Sequence, residues 1–431
     1  MTRHSGPPVP ADVGVGGHPP SPPGNRVLVA ALAITQTIGY GALYYCFAVF
    51  LTPIAADLTT SVTAVTGAYT ASVLASAVLA VPIGRWLDRR GGRALMTGGS
   101  LLGTLLLVSL SRVDELWQLY VVQIGIGVAS AASLYEAAFA VIIAWHRPRH
   151  RSAALLALTV VAGFASTIFL PLAGWLADQH GWRTALLILA AVHAVTVPLH
   201  AVVVRRPPGI SRDPGRQHGD SGAHALRAAL TDRGFWLLAA GFTAHTAAIS
   251  AYTVLLIAAL IGWGHPPAFA AAIAGLLGVL SVTGRLVTTG LQRRYRTTTI
   301  TAVVFAVQAA AALLLPILGD TTGGAIVAVV AFGFGFGVAT IAKPVILAER
   351  YDTRRYATLA GVLVVPMTLV KAGSPLGAAV LRTATGSYTP VLVAVAVCCG
   401  VAAVALAASS RPALSATGDT SADAPVTGPT D

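Results

Sequence analysis

Residues 84–93 read Gly84-Arg85-Trp86-Leu87-Asp88-Arg89-Arg90-Gly91-Gly92-Arg93. Four arginines, one aspartate and three glycines stand here between two long apolar runs, 61–83 and 94–110. Charge of that density belongs in water, whereas each run approaches the roughly 20 residues a helix needs to cross a hydrocarbon core about 30 Å thick. The stretch is therefore a short basic turn between two membrane spans.

Composition extends that reading to the whole chain. Its 431 residues are 55% hydrophobic and only 10% charged, with a mean hydropathy of +0.74, whereas soluble domains carry about 25% charged residues. A water-soluble fold is excluded. Cys46, Cys398 and Cys399 all lie inside apolar runs and offer neither a disulfide framework nor a metal spacing. Residues 1–25 are rich in Pro and Gly without an apolar signal core, and read as a disordered cytoplasmic tail. Residues 411–431 read the same way.

Apolar runs of helix length fall near 27–51, 61–83, 94–110, 117–144, 152–175 and 184–204, then near 235–261, 268–291, 299–318, 323–348, 357–380 and 388–409. The pattern predicts an all-α membrane protein of twelve transmembrane helices in two pseudosymmetric six-helix bundles, 26–206 and 233–410. A polar cytoplasmic linker at 207–232 joins them. With both termini cytoplasmic, 22 of the 28 Lys and Arg fall on cytoplasmic segments, and only Arg112, Arg183 and Arg382 fall outside. That bias fixes the orientation. The net charge of +12 is spread over separate segments facing the lipid surface, which argues against nucleic acid as a partner.

Charged side chains inside spans cost at least about 2.5–3.5 kcal/mol each on insertion scales, so each asks for a partner or a role. Four stand out: Glu136, Arg285, Lys343 and Lys371. Glu136 lies roughly 13 Å, and Arg285 roughly 12 Å, from the cytoplasmic flank at 1.5 Å per residue. At matching depth in opposite halves, they are expected to pair across a central cavity and exchange partners with substrate or a proton. Two readings stand for Glu136, a coupling carboxyl or a silent structural one. Arg285 is read as the substrate anchor, since guanidinium grips carboxylate with a two-pronged fork. Lys343 is expected to reach the interface on its long stem, and the role of Lys371 is open. His245, near the middle of the seventh span, is a candidate proton carrier. Tyr40, Tyr44 and Tyr45 are candidate cavity-lining residues, with packing as the alternative. Glycines at Gly125, Gly127, Gly333, Gly335 and Gly337 suit close helix packing.

The turn at 84–93 spells G-x-x-x-D-R-x-G-x-R and resembles the loop signature between helices 2 and 3 of the major facilitator superfamily of secondary transporters. Gly84, Asp88, Arg89, Gly91 and Arg93 carry the match, which implies a role in gating. Gly39-Tyr40-Gly41 with Tyr45, Phe47 and Phe50 resembles the monocarboxylate-transporter-like branch. Ser281-Val282-Thr283-Gly284-Arg285 is similar to the N-x-x-G-R or D-x-x-G-R of that branch, with serine in the first place. The resemblance assigns contact with a substrate carboxylate to Arg285.

No nucleotide-binding loop, metal-ligand spacing or catalytic Ser/His/Asp grouping is found outside the spans, so no enzyme, metal or cofactor is expected. The sequence predicts a monomeric bacterial inner-membrane permease moving a small organic solute, such as an organic anion, by alternating access coupled to protons. Its partners are the substrate, protons and the lipid bilayer. Two other readings stand: proton-driven efflux of hydrophobic drugs or metabolites, and a membrane sensor that has kept a carrier fold without transport.

Overall fold

The computed structural model describes residues 23–205, 226–351 and 353–409, with side chains from residue 26 onward. Nearly all of the expected tails, 1–25 and 411–431, and most of the expected 207–232 linker lie outside the described residues.

The first span is α1 (Pro23–Tyr40), a π-helical turn (Gly41–Tyr45) and α2 (Phe47–Asp57). α3 (Val62–Arg90) and α4 (Gly92–Leu110) are the second and third, and α5 (Leu116–Ser133) with α6 (Tyr135–Trp145) make the fourth. α7 (Pro148–Ala162), α8 (Ala165–Ala194) and α9 (Thr196–Val203) follow almost without interruption. Inside α8, however, Gly181 takes φ 75° and ψ 159°, a left-handed value that side chains oppose and glycine accepts. The chain reverses there, so these three helices are the fifth and sixth spans. The second half contains α10 (Arg233–Gly262), α11 (Pro267–Leu291) and α12 (Thr297–Leu318), then α13 (Thr322–Gly333) with α14 (Val338–Arg350) as the tenth span, α15 (Tyr356–Thr385) and α16 (Thr389–Ser409). Among the described residues this makes twelve spans in two six-helix halves, as the apolar runs predict.

Helix ends follow local chemistry. Ser61 caps α3 by accepting from the Ala64 amide at 3.1 Å, and Asp232 caps α10 by accepting from Gly234 at 2.9 Å. Gly91 ends α3 with φ 76°, so a glycine of the signature turn is required by the backbone alone. Leu105, Val279, Ile317 and Val404 are exposed, an outward apolar belt suited to acyl chains and costly in water.

Three departures from regular helix escape the apolar pattern. In the first span the Cys46 amide donates to the Gly41 carbonyl at 3.0 Å, five residues back, a widened turn of the kind that recurs at functional sites. The fourth span breaks at Leu134, whose φ −88° and ψ −158° are extended. The tenth breaks between Gly333 and Val338. Gly333, Gly335 and Gly337, read from sequence as packing glycines, thus also interrupt a helix. The fourth and tenth spans occupy corresponding positions in the two halves, and paired interruptions of that kind point to a midplane site.

Buried apolar residues show where the halves meet. One cluster draws only on residues of the first half, including Phe50, Leu107 and Leu189, and another only on the second, including Tyr252, Phe332 and Cys399. A third joins both, with Leu87, Phe139 and Ile142 against Ile341, Val345 and Leu359. It lies toward the face carrying the arginine-rich turn, here called the basic face. The seam between α3 and α15 is tight because Gly84 lies against the Ala357 carbonyl and Gly361 against that of Ala80, leaving no room for a Cβ at either.

Candidate functional site

Asp88 closes the basic face. Its carboxylate accepts from the amides of Ala357 at 3.0 Å and Thr358 at 2.9 Å, and from the Thr358 hydroxyl at 2.5 Å. α15 begins at Tyr356, so these are orphan first-turn donors, capped by a side chain from the other half and favoured by the helix dipole. The signature aspartate is therefore a capping residue acting across the interface. Arg93 instead ties the turn to its own half, its Nε donating to the Ala201 carbonyl at 2.7 Å. Arg89 is exposed.

Above this closure lies a cavity of about 230 Å³, whose lining includes Tyr40, Tyr44, Tyr69, Tyr135, Glu136 and Lys371. The widened turn of the first span sets Tyr40, Tyr44 and Tyr45 together: Tyr40 lies 5.9 Å from Tyr44, and Tyr44 lies 5.2 Å from Tyr45, between ring centroids. Tyr69 and Tyr135 extend the wall, 5.6 Å from Tyr44 and 4.4 Å from Tyr40. Gly41 permits the turn because its Cα face lies against the Phe169 ring.

The expected pairing of Glu136 with Arg285 is corrected by the structure. Glu136 Oε1 accepts from Lys343 Nζ at 2.5 Å. Both residues follow a helix break, Glu136 in the first turn of α6 and Lys343 in α14, so the two interruptions bring them face to face across the halves. Glu136 gains the positive end of the α6 dipole as well. Lys343 is only 6% exposed. The expectation that it reaches the membrane interface is therefore also corrected: a carboxylate within ion-pair distance holds the ammonium inside, where a long stem alone would carry it to water.

Arg285 is held by two backbone carbonyls that lie beside helix breaks. Its Nη1 donates to Thr159 O at 2.9 Å, in the last turn of α7, and its Nε donates to Gly337 O at 3.3 Å, in the break of the tenth span. One carbonyl comes from each half; that of Thr159 sits at the negative, C-terminal end of α7, whereas Gly337 is the N-cap of α14. Nη2 has no hydrogen-bond partner among the described residues. Neither Arg285 nor Tyr45 is among the residues that line the cavity bounded by Tyr40, Tyr44 and Lys371. Lys371 donates to the Tyr44 hydroxyl at 2.9 Å, and its side chain is exposed although its helix is packed among others. Among the described residues, this is the hydrogen bond between halves farthest along α15 from the basic face.

His245 is not brought to this cavity. Its Nε2 and Gln308 Oε1 are 2.9 Å apart and its ring stacks on Phe305 at 3.8 Å, inside the second half. Tyr69 and Tyr135 were missed in the sequence, although Tyr135 adjoins Glu136 and shares its helix turn. The contacts of Arg285 with Thr159 and Gly337 have no side-chain signature, because backbone oxygens make them. The glycine run of the tenth span was the one available hint.

Residues 32–375 match the Major Facilitator Superfamily. An MFS-type efflux pump of Mycolicibacterium smegmatis is 33% identical over 179 residues, which is 41% of this chain and 41% of that protein. Monocarboxylate transporter 13 of Bos taurus is 29% identical over 330 residues, covering 72% of this chain and 71% of that one. The crystal structure of the E. coli fucose:proton symporter FucP superposes with a TM-score of 0.70 at 15% identity, over 90% of this chain and 98% of the symporter. That of the human organic anion transporter MFSD10 gives 0.69 at 14% identity, over 89% of this chain and 100% of the other. At such identities the two solved structures speak for the fold alone. Twelve spans in two halves, the capped signature turn and the match across most of the chain lead to one conclusion: the chain belongs to the Major Facilitator Superfamily, as a multi-pass secondary transporter and not an enzyme.

Proposed function

We propose that the protein is a proton-coupled carrier of small organic anions, with Arg285 as the anchor for the anionic group. The observation that carries this reading is a guanidinium wedged between one carbonyl from each half, with Nη2 still free to donate. An anion bound there competes with the carbonyls for a grip on both halves, so occupancy is felt at the interface. The relative named for monocarboxylate transport supports the same class of solute.

Glu136 and Lys343 supply the proton step. Protonation of Glu136 removes the attraction that holds α6 to α14, and a neutral carboxyl leaves Lys343 with a desolvation cost that opening of the basic face relieves. Oε2 of Glu136 has no hydrogen-bond partner among the described residues, so a site for that proton exists. With the basic face cytoplasmic by the positive-inside rule, the closed state described here faces the outside of a bacterial inner membrane. Residues 26–206 and 233–410 are then the two rocking bodies of a monomer.

Proteoliposomes with an imposed pH gradient test this. Arg285→Lys is expected to weaken uptake of an anionic substrate at least about tenfold, because the fork is lost. Glu136→Gln is expected to abolish accumulation driven by the gradient while sparing counterflow exchange. Undiminished accumulation by Glu136→Gln would remove the coupling role. A second reading, efflux of hydrophobic compounds, draws on the relative named as an efflux pump and on the tyrosine wall. It is favoured if overexpression confers resistance to neutral toxic compounds in cells carrying Arg285→Lys.

A further inference from the structure

The cavity above the basic face holds a cation without a counterion. Its lining includes Lys371 and Glu136, and Lys343 already takes Glu136 at 2.5 Å. Lys371 has no carboxylate within ion-pair distance among the described residues. Its ammonium donates to the Tyr44 hydroxyl at 2.9 Å and lies 5.1 Å from the centroid of that ring. A neutral phenol is a weak match for a charge held between spans, where an unpaired cation is costly.

Hydroxyls surround that cation. Tyr40, Ser72, Ser130, Tyr135 and Thr368 line the same cavity. None of their side-chain hydroxyls has a hydrogen-bond partner among the described residues, and none is sealed in the packing, so they meet whatever the cavity contains. Thr368 stands one turn before Lys371 on α15, and Ser72 one turn after Tyr69 on α3. Tyr69 lies 5.6 Å from Tyr44 between ring centroids, and Tyr40 lies 5.9 Å from Tyr44 and 4.4 Å from Tyr135. Gly127 packs against the Ser72 carbonyl, which brings Ser130, one turn away on the same face of α5, beside Ser72.

We propose that the cavity takes a small polyhydroxylated carboxylate, with Lys371 holding the carboxylate in place of the Tyr44 hydroxyl and the open hydroxyls of the wall meeting those of the solute. Arg285 lies outside this lining, so Lys371 is an anion contact separate from the Arg285 anchor. The inference rests on the reading of the solute as an organic anion, and adds a residue and a solute chemistry to it. Each hydroxyl offers one donor and two acceptor positions, so hydroxyls on both sides satisfy one another. A hydrocarbon body would instead strip water from the wall and leave its hydroxyls unpartnered. The volume of about 230 Å³ falls below the roughly 300–1,000 Å³ of sites for drug-sized ligands, which keeps the solute small. Its binding also releases Tyr44, and with it the bond between halves farthest along α15 from the basic face.

The test compares gluconate, hexanoate and sorbitol, straight six-carbon chains that differ in charge and hydroxyls, at about pH 7.5, where carboxyls are ionised. Binding to the purified full chain is measured by titration calorimetry, and transport by counterflow in proteoliposomes. Gluconate is expected to bind at least about tenfold more tightly than either of the others. Lys371→Met brings gluconate down to the level of sorbitol and leaves sorbitol unchanged, Lys371→Arg keeps the preference, and Thr368→Val weakens gluconate but not hexanoate. Thermal melts of each variant show that the fold is kept. Hexanoate binding as tight as gluconate, or gluconate binding that survives Lys371→Met, overturns this inference and leaves the Arg285 anchor standing, as does failure of all three to bind. Sorbitol binding as tight as gluconate removes the preference for charge, and the anion reading falls together with this inference.

Discussion

Replacing Asp88 by asparagine tests how the basic face is held shut. The carboxylate accepts three hydrogen bonds, at 3.0, 2.9 and 2.5 Å, from the first turn of α15. Asparagine keeps one carbonyl oxygen and puts an NH2 where the second oxygen stood, so at least one backbone donor faces another donor. A hydrogen bond to a charged group contributes about 1.5–3 kcal/mol, and a charge at a helix N-terminus about 0.3–1 kcal/mol more. Loss of one such bond together with the dipole attraction amounts to about 3 kcal/mol, or roughly 150-fold in population. Because these bonds exist only when the face is closed, the whole loss falls on the closed state. A protein about 99:1 in favour of closure would become roughly evenly divided. Spin labels on cysteines introduced at the exposed positions Arg149 and Arg293, in a background lacking Cys46, Cys398 and Cys399, report the distance between halves by electron–electron double resonance. A second, longer distance population is expected in Asp88→Asn. Coincident distributions in the two proteins would refute the capping argument.

Two further outcomes follow from the packing and charges of the same face. Gly84→Ala drives a methyl against the Ala357 carbonyl, where overpacking costs about 1–3 kcal/mol; the same label pair should separate and transport should fall, with little change in thermal stability. Asp232 reports on pH. Burial works to raise its carboxyl, but the Tyr351 hydroxyl, the Gly234 amide and the Arg350 guanidinium outweigh it and hold it below the usual carboxylate range. A carboxyl depressed on folding contributes stability above its unfolded value of about 3.9 and loses it as pH falls through the folded value. Melting temperature should therefore drop below about pH 4, and drop less in Asp232→Asn.

The spans, their number and the signature turn were legible in the sequence because hydrocarbon imposes one rule on every residue it touches: backbone donors must be satisfied inside the segment and charge must stay in water. Gly84, Asp88 and Gly91 could be singled out for the same reason, since a charged turn between two apolar runs has few places to be. What sequence could not give is which buried charge meets which. Glu136 and Arg285 share a depth, yet depth fixes one coordinate only. The rotation of each helix and the breaks at Leu134 and across Gly333–Val338 set the other two, and they send Lys343 to Glu136 while Arg285 goes to the carbonyls of Thr159 and Gly337. Those carbonyls belong to no side chain, so no residue letter announces them. The sequence by itself determined how many times the chain crosses and which charges are trapped inside. Only the tertiary structure decided their partners, because ion pairs and hydrogen bonds depend on ångström-scale approach between segments far apart along the chain, whereas membrane crossing depends on local composition alone.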